Sequence, residues 1–132
     1  MRKIEHIGIA VKDLKAANET YAKLFNSPPY KLETVESEAV STSFFRIGET
    51  KIELLEGTSD ESAISKYIAK RGEGIHHIAY DVEDIVSERE RLISEGFQAI
   101  GEVKTGADNK LVCFFHPKSA NGVLIELCQE RS

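Results

Sequence analysis

A chain of 132 residues with 41% hydrophobic and 30% charged side chains has the composition of an average soluble globular domain, and such a chain buries roughly two-thirds of its unfolded surface on folding. Its formal charge of −5 argues against non-specific nucleic-acid binding, which needs clustered cations, and no apolar run approaches the ~20 residues that span a bilayer. The segment Met1–His6 meets Glu5 and His6 at once and has no secretory apolar region, so a cytoplasmic protein without nucleic-acid or membrane partners is expected.

In chain order, residues 6–11 alternate and are sufficiently β-branched for a strand. Asp13 then caps a helix with Leu14, Ala17, Tyr21 and Leu24 on one stripe, ended by Pro28 and Pro29. Residues 30–36, 40–47 and 51–55 read as a three-stranded meander, with Glu38-Ala39 and Gly48-Glu49 at the turns. Ile64, Tyr67 and Ile68 fall at helical spacing within residues 60–71 and predict a short linking helix. Residues 75–82 are again a strand, Asp84 again caps a helix, carrying Ile85, Leu92 and Ile93, and Gly96 stops it. Residues 97–102, 110–116 and 122–128 supply three more strands.

This order recurs because the sequence does. Residues 5–14 match residues 76–85, pairing His6 with His77, Val11 with Val82 and Asp13 with Asp84 at an offset of 71 (77 − 6). Residues 51–55 match residues 124–128, pairing Glu53 with Glu126 at an offset of 73 (126 − 53). A repeat of this kind fixes architecture more firmly than local propensity does. The expected organisation is one domain, residues 1–132, made of module 1 (1–57), a linker helix (58–73) and module 2 (74–130), each module a βαβββ unit.

In each module the His opens the first strand and the Glu lies in the last, flanked by Ile52 and Leu54 or by Ile125 and Leu127. Alternation turns each Glu away from its apolar neighbours, and a carboxylate placed in such a strand needs water or a compensating partner. A lone strand histidine is more often a packing residue and a strand Glu more often faces water. Recurrence of both at matched positions favours ligands, so His6, Glu53, His77 and Glu126 form a candidate N/O set for one divalent metal ion (Co, Mn, Ni, Zn or Fe) rather than for Ca²⁺. His76 would point to the opposite face from His77 and stays outside the set. His116, before Pro117 and Lys118, is a loop histidine or a substrate contact. Cys113 and Cys128 sit in apolar stretches without CxxC spacing and read as reduced core residues. Lys66, Lys70 and Arg71 form a solvated helix face or a patch for a phosphorylated small molecule.

Four stretches carry a family resemblance over nearly the whole chain: residues 5–11 (Glu-His-Ile-Gly-Ile-Ala-Val), 50–56 (Thr-Lys-Ile-Glu-Leu-Leu-Glu), 72–79 (Gly-Glu-Gly-Ile-His-His-Ile-Ala), and Phe115-His116-Pro117-Lys118 leading to residues 122–127. They resemble the vicinal oxygen chelate (glyoxalase-like) superfamily and, within it, the methylmalonyl-CoA epimerases. The resemblance implies an α+β fold in which two tandem βαβββ modules form a curved, half-open mixed β-barrel around one metal site. It implies that His6, His77 and Glu126 are ligands, with Glu53 in a fourth position that some members fill with Gln. It also implies a homodimer, an acyl-CoA substrate, and an isomerase that interconverts the 2R and 2S epimers through a metal-stabilised enolate; Lys118 and the 66–71 helix are candidates for the CoA contacts, which the sequence leaves open. Glu126 doubles as proton carrier. Several members place a second catalytic Glu where Thr42 stands here, and Thr42 is no carboxylate base. Glu53, a water or Glu38 remain for that role, and module symmetry selects Glu53 as the catalytic partner of Glu126. The same ligand set serves glyoxalase I (lactoylglutathione lyase), the first alternative activity, and the scaffold also serves non-catalytic small-molecule binding or resistance proteins, the second.

Overall fold

The computed structural model describes residues 1–131. Eight strands and three α-helices follow one another as β1 (Lys3–Ala10), α1 (Leu14–Phe25), β2 (Lys31–Val35), β3 (Val40–Ile47), β4 (Thr50–Gly57), α2 (Ala63–Arg71), β5 (Gly74–Asp81), α3 (Ile85–Ser94), β6 (Ala99–Thr105), β7 (Lys110–Phe115) and β8 (Leu124–Glu130). Strand, helix and three strands thus occur twice, with α2 between. Two compact units divide the chain inside β1 and β5: one holds residues 1–6 and 77–132, the other residues 7–76. Each unit therefore takes the first stretch of one repeat and the body of the other, because long-range strand pairing rather than chain order decides which residues cluster.

The unit of residues 7–76 pairs its strands in the order β2-β3-β4-β1. The β2–β3 and β3–β4 pairs are antiparallel. One face of this sheet carries Phe45, Leu54 and Val11, which pack with Leu14, Ala17, Tyr21 and Phe25 of α1. Leu55 and Ala10 on the other face pack with Ile64, Tyr67 and Ile68 of α2. Asp13 caps α1 by accepting from the Ala16 N–H at 3.2 Å, and Ser62 caps α2. Helix α1 ends earlier than Pro28 and Pro29 suggested. Asn26 adopts the left-handed conformation at φ 54° and its N–H closes on the Ala22 carbonyl, a stop that amide side chains tolerate well.

The unit of residues 1–6 and 77–132 pairs its strands as β1-β5-β8-β7-β6. The β5–β8 pair is parallel, with Ala79 opposite Glu126, and β7 runs antiparallel to β8, with Phe114 opposite Glu126. Ile85 and Leu92 of α3 cover Val82, Cys113, Phe115 and Leu127. The Ser87 N–H and hydroxyl hold the Asp84 carboxyl below its ordinary pKa. That cap is therefore intact above the unfolded-state value and fades as pH falls through the lowered one. Gly96, at φ 100°, lies just beyond the end of α3. Burial pushes the Cys113 thiol up to about 11, so Cys113 is an unreactive packing residue.

The repeat persists in the register. Phe44 stands opposite Glu53 as Phe114 stands opposite Glu126, and a lysine lies over each ring, Lys31 at 5.1 Å and Lys104 at 5.7 Å. The core has no slack at Phe115, which is fully buried among α3, β7 and β8 side chains. The Phe115→Ala variant is expected to lose about 3–5 kcal/mol of stability, read as a lower denaturant midpoint with unchanged m-value.

Candidate metal centre

Three of the predicted ligands meet within the unit of residues 1–6 and 77–132. His6 is the last residue of that unit's part of β1, His77 the first of its part of β5, and Glu126 lies on β8 beside β5. All are buried, at 5%, 6% and 5% exposure. The two Nε2 atoms are 3.0 Å apart, and Glu126 Oε1 lies 3.2 Å from His77 Nε2 and 3.4 Å from His6 Nε2. The imidazoles stand at 88° to one another with centroids 5.1 Å apart. Donors bonded at about 2.1 Å to one ion are separated by about 3.0 Å at right angles and about 3.4 Å at tetrahedral angles. The observed separations match adjacent positions around a single cation, and two imidazoles with one carboxylate suit a borderline transition ion.

Electrostatics point the same way. Burial alone would raise the Glu126 carboxyl, but charge and hydrogen bonding from His6, followed by those from His77, hold it well below the usual carboxylate range. Glu126 is an anion buried against imidazoles, and such an ion stays in a low-dielectric interior only when a positive partner compensates it.

Two further side chains complete the setting. Glu5, 3% exposed, accepts from His6 Nδ1 at 2.6 Å, and its Oε2 lies 3.9 Å from Lys110 Nζ. The Cys128 thiol donates to Glu126 Oε2 at 2.9 Å. Cys128 is fully buried, as expected of a core residue, but it also touches the centre. The sequence signal for Glu5 was only its adjacency to His6, which strand alternation argues against; for Cys128 it was the i+2 spacing from Glu126 along β8.

The fourth predicted ligand, Glu53, belongs to the unit of residues 7–76, where it is 5% exposed on β4 opposite Phe44. On the same face, Thr42 is 2% exposed and stands between Leu55 and Glu33 in the neighbouring strands. Glu33 Oε1 is closed to solvent and accepts no hydrogen bond among the described residues, its one ion-pair contact being Lys31 Nζ at 3.6 Å. Glu38 is exposed in a short 3₁₀ turn between β2 and β3.

Other sequence candidates take structural places. His76 packs edge-on to Tyr67 with centroids 4.8 Å apart. His116 accepts from the Lys118 N–H at 3.0 Å and caps the turn over residues 117–120. Lys66, Lys70 and Arg71 are exposed on α2, where Lys66 pairs with Glu61 at 3.7 Å. A cleft of about 500 Å³ beside the start of α1, lined by Lys12, Asp13, Tyr21 and Glu73 among others, holds none of the four predicted ligands. No helix among the described residues is long and apolar enough to cross a membrane.

Comparison with known proteins places this arrangement. Residues 5–114 match the model of a family described as the glyoxalase/bleomycin resistance protein/dioxygenase superfamily. The chain is 39% identical over 130 residues to an ethylmalonyl-CoA/methylmalonyl-CoA epimerase of Cereibacter sphaeroides, covering 96% of this chain and 97% of that protein. Among solved structures it is similar to a variant of Streptomyces coelicolor methylmalonyl-CoA epimerase in complex with 2-nitronate-propionyl-CoA. That match has a TM-score of 0.94 and 32% identity, and it covers 100% of this chain and 99% of the other. A methylmalonyl-CoA epimerase in complex with methylmalonyl-CoA and NH4+ matches with a TM-score of 0.94 and 32% identity, over 100% of this chain and 96% of that one.

Proposed function

The chain belongs to the glyoxalase/bleomycin resistance protein/dioxygenase superfamily, and from that premise we propose that it is a metal-dependent methylmalonyl-CoA epimerase interconverting the 2R and 2S epimers. The observation that carries the reading is the buried convergence of His6, His77 and Glu126 in a chain similar over nearly its whole length to epimerases of that substrate.

The residues present fit a divalent ion, with His6, His77 and Glu126 as donors and Glu53 as the fourth on the symmetry of the repeat. When bound, the ion supplies Lewis-acid stabilisation of the negative charge that develops on the substrate as its α-proton leaves, typically worth several kcal/mol. The protein's own work is to orient the thioester, exclude water and move protons. Glu126 is an anion at neutral pH, and we assign to it the proton carried on one face of the substrate. Inversion requires a second carrier on the opposite face of the planar intermediate, and we assign it to Glu53, the symmetry mate of Glu126. A second reading of that role rests on Glu33, which stands opposite Thr42 in the strand register, on the face that also carries Glu53, and whose Oε1 is closed to solvent 3.6 Å from Lys31 Nζ. The protein is proposed to act in the cytoplasm as a homodimer. Co, Mn, Ni, Zn and Fe are the ions to test.

The test is incubation of metal-loaded protein with one epimer of methylmalonyl-CoA in D₂O, following α-proton exchange by NMR. A parallel assay uses methylglyoxal with glutathione. Metal-dependent exchange on the thioester alone is the expected result. Turnover of the hemithioacetal alone would make the chain a glyoxalase I, and no turnover of either, with ligand still retained, would favour a binding protein.

A further inference from the structure

We propose that Glu5 and Cys128 are positioning residues that orient the donor atoms of His6 and Glu126, and that Lys110 holds Glu5 in place for that task. The proposal rests on the metal reading of the triad and adds to it residues that touch neither the ion nor the substrate.

The argument starts at β1. Consecutive strand residues normally point to opposite faces, yet Glu5 and His6 are both buried, at 3% and 5% exposure, and joined at 2.6 Å. That separation is a short, charge-assisted hydrogen bond. It is too short for two donors sharing a cation, so the close grouping of Glu5, His6 and Cys128 donor atoms is a support network rather than a second metal site. With the Nδ1–H donated to Glu5, Nε2 of His6, which faces His77 and Glu126, is the nitrogen left to bind an ion.

A buried carboxylate needs a compensating partner to fix its position. Lys110, itself only 9% exposed, reaches Glu5 Oε2 at 3.9 Å and Glu130 Oε1 at 3.5 Å. Its place is fixed by register, because Lys110 stands directly opposite Glu130 in the β7–β8 pair.

At the other end of the site, Cys128 lies two residues beyond Glu126 on the same face of β8. Its thiol occupies Oε2 at 2.9 Å while Oε1 faces the imidazoles. The carboxylate thereby presents one oxygen and is held against rotation. The two halves of the repeat are unequal here: the residue before His6 is Glu5, whereas the residue before His77 is His76, stacked edge-on to Tyr67. His6 is a carboxylate-backed donor.

The experiment measures divalent-ion affinity by chelator competition with Zn²⁺ and Co²⁺, alongside the His6 tautomer read from ¹H–¹⁵N correlations of the metal-free protein. Glu5→Gln and the charge-neutral pair Glu5→Leu with Lys110→Met are expected to weaken binding by about 10- to 100-fold, and the pair to lose the pure Nδ1–H tautomer. The pair leaves no buried charge unpartnered, so it guards against a simple failure to fold, which metal-free thermal melting checks. Cys128→Ala is expected to weaken binding and Cys128→Ser, which keeps a donor, to restore it. Wild-type affinity in these variants with an unchanged tautomer overturns the proposal. A wild-type protein that binds neither ion overturns the metal reading itself, and this proposal with it.

Discussion

The Glu126→Gln substitution is expected to lower α-proton exchange and epimerisation by about 10²- to 10⁴-fold, the range that a positioned general base contributes, while most of the metal is retained. Both halves of that expectation follow from where the two carboxylate oxygens lie. Oε1 faces the two Nε2 atoms at 3.2 and 3.4 Å, and Oε2 accepts from Cys128. An amide of the same shape keeps a carbonyl oxygen toward the imidazoles and turns its NH₂ toward the Cys128 sulfur, which is a weak acceptor. The donor set therefore survives with one charge fewer. The amide has no basic oxygen for a carbon acid, so proton transfer fails where coordination does not. Metal content of the purified variant, measured beside deuterium wash-in, separates the two. Turnover at the wild-type rate would remove Glu126 from the chemistry and leave it a ligand only.

Metal retention has its own pH dependence. His6 and His77 bind an ion only as neutral imidazoles, and Glu126 only as an anion. Glu126 is held well below the ordinary carboxylate range, so its charge is present above the unfolded-state value and is lost only as pH falls through the lowered one. Retention of the ion is therefore expected to fall on acidification, as the donors take up protons in place of the ion. Equilibrium dialysis against a pH series reads this directly.

What the chain disclosed in advance was what local pattern encodes. Strand β3 was bounded at Val40 and Ile47 because turn signals flank a β-branched and aromatic run, and Asp13 and Asp84 were legible as caps because each precedes a helical stripe. His6, His77 and Glu126 were legible because the repeat marks them twice. The misses are of a different physical kind. Helix α1 stops at Asn26 by a left-handed turn, a backbone choice for which Pro28 and Pro29 were a late proxy. Strand β6 begins at Ala99 and runs to Thr105, past the expected end at residue 102, with an irregular register against β7 between Ile100 and Lys104. A shift of that kind breaks the period on which the reading relied. Glu5 was passed over because alternation assigns neighbours to opposite faces, and only three-dimensional geometry shows a carboxylate reaching the ring beside it. Lys110 was invisible for a stronger reason: its partner Glu5 is 105 residues away (110 − 5).

The second carrier is decided by a prediction in which inversion and exchange part company. In a two-base epimerase each base serves one face of the carbon. Loss of one base still allows the other to remove and return a proton on its own side, so one epimer continues to exchange with solvent deuterium although inversion stops. The Glu53→Gln variant is expected to show this one-sided pattern, with inversion reduced by about 10²-fold or more and metal retained through the amide oxygen. Glu33→Gln is expected to invert at close to the wild-type rate. The competing outcome has equally specific physics. Glu33 stands opposite Thr42 in the β2–β3 register, and its Oε1 is closed to solvent without a hydrogen bond. One-sided exchange in Glu33→Gln with inversion preserved in Glu53→Gln would move the role to Glu33 and leave Glu53 a ligand. The carboxylate missing at Thr42 would then come from the adjacent strand, at the same register position, rather than from the other end of the repeat.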